Sequence, residues 1–153
     1  MTESTRQVVD RWVASMNSGD IDASAAALHE DVVEIYPQSG EEFRGRESIR
    51  NLLRHFESRG GVAPEVDRVT GSEDRWVMSP SFTLVRAAGS GDEFTVAGRV
   101  RYPNGEEWHL VQLIRMRDGL IGQLTSYFAA PFEAQEWRAP YRSDTGISSR
   151  AAS

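Results

Sequence analysis

The apolar residues of this chain change period part-way along, and that change constrains the fold more than any single motif. Up to Phe56 they recur at helical spacing; beyond Gly60-Gly61 they recur every second residue. Ser4 and Gln7 make a Ser-x-x-Gln capping box, and Val8, Val9, Trp12, Val13 and Met16 follow on one stripe. Asn17-Ser18-Gly19 closes that helix, and Asp20 or Asp22 can cap a short Ala-rich second helix reaching Leu28. Val32 to Tyr36 is a short extended stretch ended by Pro37, with Gln38-Ser39-Gly40 as turn chemistry. After Gly45, Ile49, Leu52, Leu53 and Phe56 at i, i+3, i+4 and i+7 predict a third helix.

In the second half, strands are predicted over residues 65–70, 76–86, 94–102, 107–117 and 120–128. The segments between them carry Gly89-Ser90-Gly91-Asp92, Pro103-Asn104-Gly105 and Asp118-Gly119. Asn-Gly and Asp-Gly between alternating runs signal tight hairpins. Three helices before a curled, mostly antiparallel sheet make an α+β chain. Its 153 residues are one domain's length, residues 1–142, with a Ser-, Gly- and Ala-rich tail over 143–153 expected to be mobile.

Alternation also assigns faces. Trp108, Leu110, Gln112, Ile114 and Met116 share one face of their strand; His109, Val111, Leu113 and Arg115 share the other. A strand apolar on both faces predicts helices on one side and a second subunit on the other, a homodimer through the outer sheet face. Alternatively, Val111 and Leu113 lie under the C-terminal segment.

Composition narrows the chemistry. There is no cysteine, which removes disulfides, thiol nucleophiles and Cys-ligated metal. All 17 basic side chains are arginine, so neither a Schiff-base lysine nor a phosphate-loop lysine exists. A formal charge of −6 argues against nucleic acid as a partner. No apolar run approaches the roughly 18 residues of a membrane span. The polar start MTESTRQVVD lacks a secretion pattern, so the expected location is cytoplasmic. His29, His55 and His109 have no metal-ligand spacing, and no metal or cofactor is expected. Arg44, Arg46, Arg50 and Arg54 read as a solvated face paired with Glu41, Glu42 and Glu47.

Several stretches carry a family resemblance. VVDRWVASMNSGDIDASAAALHEDVVEIYP, FRGRESIRNLL and LIRMRDGLIGQLTSYF resemble the opening, third helix and final hairpin of the nuclear transport factor 2-like superfamily, in its SnoaL-like (polyketide cyclase-like) branch. YPQSGEEFRG and YFAAPFEAQEWRAPY resemble an actinobacterial-type subgroup. The resemblance implies a cone: three helices wrapping a curved sheet, with a blind pocket at the wide end. Family enzymes such as ketosteroid isomerase and the anthracycline-type cyclases work there without metal or cofactor, using acids tuned by a dry pocket.

Carried across, that resemblance puts the isomerase's oxyanion-hole tyrosine at Trp12, its base at Tyr36 and its second donor at Gln112. The cyclase's catalytic aspartate falls at Ser126. The defining carboxylates of both activities are therefore replaced. Tyr36, with an ordinary pKa near 10, suits a donor or general acid. Glu34, two residues earlier on the same face, would be a desolvated base; if the strand is irregular, Ile35 points inward instead. Gln112, alone between Leu110 and Ile114, can donate to a ligand oxygen or bond Tyr36 or backbone as structure. Trp12 and Ser126 shape the pocket; Ser126 has no histidine beside it, so no Ser–His nucleophile is expected. Trp12, Met16, Leu53, Met78, Phe82, Leu110, Leu124 and Phe128 would form an apolar wall suited to a hydrophobic ligand, or close the core completely. Trp137 and Tyr141 would cover the mouth or pack on the outer sheet.

Three readings result. The first is a cofactor-independent cyclase or isomerase acting on a hydrophobic metabolite, with Tyr36, Glu34 and Gln112 as its chemical groups. The second is a non-catalytic binding module with the same pocket. The third is a protein-interaction domain whose sheet face matters and whose cavity is vestigial; it predicts a filled core and a large apolar outer patch. Burial of Glu34 beside Tyr36 or Gln112 favours the first; a solvated Glu34 favours the second.

Overall fold

A computed structural model describes residues 2–59, 81–102 and 104–143. The expected strand over 65–70, the start of the strand over 76–86, Met78 and the tail from 144 lie outside them. The order is α1 (Thr5–Ser18), α2 (Ile21–Ala26), β1 (Leu28–Tyr36), β2 (Glu41–Arg44), α3 (Arg46–Arg59), β3 (Ser81–Ser90), β4 (Glu93–Arg101), β5 (Glu107–Arg117) and β6 (Leu120–Ala129), then a 3-10 helix (Glu136–Tyr141). Among the described residues, six strands form one sheet in the order β2-β1-β6-β5-β4-β3, antiparallel except for the β1–β6 seam. The α+β architecture with N-terminal helices on a curved sheet is the expected one.

The local signals act as read. Ser4 Oγ accepts from the Gln7 N–H, and the Gln7 side chain accepts from the Ser4 N–H, closing the capping box. Asp20, rather than Asp22, caps α2 by accepting from the Ala23 N–H at 3.0 Å. Asp118 and Gly119 both take positive φ, 51° and 79°, as a twist-matched two-residue hairpin requires. Along β5, burial alternates without a break, with Trp108, Leu110, Gln112, Ile114 and Met116 inward.

Three boundaries differ from the sequence reading. β1 begins at Leu28, not Val32, because a register shift between Leu28 and Val33 lets an irregular segment join β6. His29 accordingly lies on β1 rather than ending α2. Glu41–Arg44 forms a hairpin arm on β1, although its charged sequence gives no alternation. Gln38-Ser39-Gly40 is its turn, closed by the Gly40 N–H donating to the Tyr36 carbonyl at 2.8 Å. β3 runs to Ser90, so only Gly91-Asp92 turns the chain; the ladder continues to Ser90↔Glu93.

One side chain fixes α1 on the sheet. Asn17 Nδ2 donates to the Leu84 carbonyl at 3.2 Å, and its Oδ1 accepts from the Leu84 N–H at 2.7 Å. The amide thus stands in for a strand at the β3 bulge between Leu84 and Arg86. Opposite it, Gly98 lets β3 approach: a Cβ there would overlap the Thr83 carbonyl oxygen and the Leu84 Cα. Val8, Val9, Trp12 and Met16 of α1 then bury against Leu110, Ile114 and Leu124 in one core.

Candidate active site

The inward face of the sheet carries a buried polar chain running from α1 across β5 and β6 to β1. Trp12 comes from the α1 stripe. Gln112 and Ser126 are direct cross-strand partners of β5 and β6. Glu34 and Tyr36 are two residues apart on β1, and Glu34 registers against Leu124 of β6. Period two on each strand turns all of these polar side chains to the helix side.

The hydrogen bonds join them in series. Trp12 Nε1 donates to Gln112 Oε1 at 3.1 Å, Gln112 Nε2 donates to Ser126 Oγ at 3.2 Å, and Ser126 Oγ donates to Glu34 Oε1 at 3.2 Å. The Tyr36 hydroxyl lies close enough to the Glu34 carboxyl for each group to shift the other's proton affinity. Trp12, Gln112, Ser126 and Glu34 are all buried, Glu34 with 6% of its surface exposed. It is the buried acid among the described residues.

Burial dominates the electrostatics. Desolvation pushes the Glu34 carboxyl up to about 7, against the opposing effect of the Ser126 and Tyr36 hydroxyls. Tyr36 is held well above 10, first by burial, then by the charges of Glu34, Glu41 and Tyr102. Tyr102 is pushed up to about 12 by burial and by Glu106. Near pH 7 the site therefore pairs a carboxyl poised between its two states with a phenol that keeps its proton.

Aromatic rings set Tyr36 in place. Phe43 and Phe128 meet it edge-on, with ring centroids at 5.1 and 5.3 Å. Gln38 Oε1 accepts from the Phe128 N–H at 2.5 Å and ties the β1–β2 turn to β6. The sequence reading missed Phe43, Gln38 and Tyr102 at this site. Phe43 was detectable as the lone apolar residue in a charged run; Gln38 had no signal beyond its turn.

The other expected residues divide. Trp12, Met16, Leu110, Leu124 and Phe128 are buried in the core, and Leu53 and Phe82 are half-buried against it. Ile35 does not displace Glu34 from the inward face. Trp137 and Tyr141 do not pack on the sheet: they are 71% and 82% exposed. Their helix has Pro140 inside it and buries none of its side chains. Val111 and Leu113 are likewise exposed on the outer face rather than buried. Arg46 departs from the expected solvated row, donating to the Leu28 carbonyl at 2.9 Å, and Arg54 pairs with Asp22 rather than a neighbouring glutamate. His29 Nε2 lies 3.4 Å from Asp118, while His109 is on the outer face. Among the described residues, no three His, Asp or Glu side chains gather as a metal site, and no helix is long and apolar enough to cross a membrane.

The family's sequence profile, the SnoaL-like domain, matches residues 9–124. The chain belongs to the SnoaL-like family. Solved structures place its fold among nuclear transport factor 2-like proteins. One such protein of unknown function from Burkholderia xenovorans superposes with a TM-score of 0.70 at 26% identity, covering 93% of this chain and 95% of that one. A provisionally assigned ketosteroid isomerase from Kribbella flavida superposes at 0.69 with 19% identity, covering 92% and 89%. TerC, co-crystallised with polyporic acid, superposes at 0.60 with 18% identity, covering 81% and 90%. No curated protein matches the chain. Within this SnoaL-like chain the buried carboxylate comes from Glu34, two residues before the position where the resemblance put the isomerase's base.

Proposed function

We propose that this SnoaL-like protein is a cofactor-independent acid–base enzyme, of the isomerase or cyclase type, acting on a hydrophobic metabolite. Glu34 is the proton acceptor, Tyr36 the hydrogen-bond donor or acid, and Gln112 supports them. The observation that carries this reading is a carboxyl, Glu34, buried on the inward face two residues from Tyr36 and accepting from Ser126 Oγ at 3.2 Å, where burial raises its proton affinity and that of the Tyr36 phenol. A general base works best with a pKa near the operating pH, and a neutral donor beside it can hold a carbonyl or enolate oxygen. Gln112 retains one Nε2 hydrogen for such an oxygen, the other being used on Ser126. The isomerase-like and polyporic acid-bound fold relatives support a carbonyl-bearing, ring-containing ligand. The outer sheet face, with Val111, Leu113 and Tyr127 exposed, would pair with a second copy.

The test is solvent-deuterium incorporation into polycyclic ketones, lactones and related carbonyl compounds, read beside thermal-melt shifts. Wild type should stabilise on binding and exchange a C–H next to the carbonyl. Glu34→Gln should keep the melt shift and lose exchange by about 10²–10⁴-fold. Tyr36→Phe should weaken both. A melt shift without exchange, equal in wild type and Glu34→Gln, would make the chain a binding module instead.

A further inference from the structure

The hydrogen-bond chain has a direction, and one residue sets it. The Trp12 indole N–H can only donate. Its partner at 3.1 Å must therefore be the carbonyl oxygen of the Gln112 amide, which leaves the NH2 group facing Ser126. Ser126 Oγ accepts from that NH2 group, so its own proton is aimed at Glu34 Oε1, 3.2 Å away. Without the indole donor, the Gln112 amide is free to turn over and present its oxygen to Ser126. The serine proton would then go to Gln112, and Glu34 Oε1 would lose its donor inside the core, where water does not replace it.

We infer that Trp12 is a positioning residue: its indole N–H orients Gln112 and Ser126 so that Glu34 Oε1 is always an acceptor, and the exchangeable proton of Glu34 is confined to Oε2. This rests on reading Glu34 as the site's proton acceptor. It makes Glu34 a carboxyl with one working oxygen, and it makes an aromatic residue three hydrogen bonds away a determinant of its proton affinity. The groups that bear on Glu34 are Trp12 from α1, Gln112 from β5, Ser126 from β6 and Tyr36 from β1. Glu41 of β2 and Tyr102 after β4 act on Tyr36.

The experiment follows two NMR signals in the same protein across pH: the Glu34 side-chain carboxyl carbon and the Trp12 indole N–H. In wild type both should move with one midpoint, because ionising Glu34 strengthens every bond in the series. In Glu34→Gln the indole signal should be flat. Trp12→Phe should raise the Glu34 midpoint by about one pH unit, the worth of one hydrogen bond to a charged group. A Trp12 signal that ignores pH while Glu34 titrates would overturn the inference, as would an unchanged midpoint in a folded Trp12→Phe. If Trp12→Phe fails to fold, the wild-type and Glu34→Gln titrations decide alone. A Glu34 midpoint at the ordinary carboxylate value would instead sink the functional reading on which the inference stands.

Discussion

Ser126 Oγ donates to Glu34 Oε1 at 3.2 Å across the parallel seam where β6 meets β1. That bond lowers the proton affinity of a carboxyl that burial raises. Ser126→Ala removes it and leaves the Gln112 NH2 group facing a methyl. The variant should titrate Glu34 above the wild-type value. It should also unfold about 1–3 kcal/mol more easily, the cost of buried polar groups left without partners. Carboxyl-carbon NMR and urea denaturation at pH 8 measure the two effects.

Glu34 also gives folding a pH dependence of definite sign. Its ordinary value is 4.5 and its folded value about 7. Below 4.5 the group is protonated in both states and its burial adds no ionisation penalty. Between 4.5 and 7 the unfolded chain ionises first, so the folded state holds more protons and stability falls as pH rises. Above 7 the loss levels off at about 3 kcal/mol from this group. Glu34→Gln should abolish that decline and be more stable than wild type at pH 8. A wild-type denaturation midpoint that is flat from pH 4.5 to 7, with Glu34→Gln parallel to it, would refute the buried acid.

Much of this site was legible because strand periodicity is a strong signal. The alternation from Trp108 to Met116 placed Gln112 inward without any structural knowledge. The two-residue spacing of Glu34 and Tyr36 put them on one face for the same reason. What the residues could not reveal was partnership. Nothing in the sequence says that Trp12 reaches Gln112, one hundred positions away, because that contact depends on how α1 docks on the sheet. The docking is set partly by Asn17, which the sequence reading took only as a helix terminator. β2 was illegible for another reason: an edge strand with exposed faces has no apolar alternation to show, and the turn that forms it carried the signal alone.

Asn17→Ala should loosen α1 from β3. It deletes two hydrogen bonds to Leu84 and leaves a backbone N–H and carbonyl without those partners at the β3 bulge, where no other strand among the described residues pairs them. A loss of about 1–3 kcal/mol is expected. Hydrogen exchange should quicken at Leu84 and along α1, while the β5–β6 ladder keeps its protection. Gly98→Ala on the facing strand should destabilise the same corner, because the new methyl overlaps Thr83 and Leu84 backbone.

The outer sheet face offers a prediction about assembly. Val111, Leu113 and Tyr127 are 37%, 45% and 42% exposed on neighbouring strands, and Leu113 and Thr125 are direct partners in that register. Arg99 and Arg115 flank this strip, paired with Glu107 and Glu93. A stable dimer needs about 1,200–2,000 Å² of total buried surface, which two sheet faces laid together can supply. Wild type should sediment as a dimer at micromolar concentration, and Leu113→Arg should sediment as a monomer. Because Leu113 points away from the core, the variant should keep the wild-type circular dichroism spectrum and the wild-type Glu34 titration. A wild-type protein that stays monomeric at every concentration would leave the apolar strip without this role.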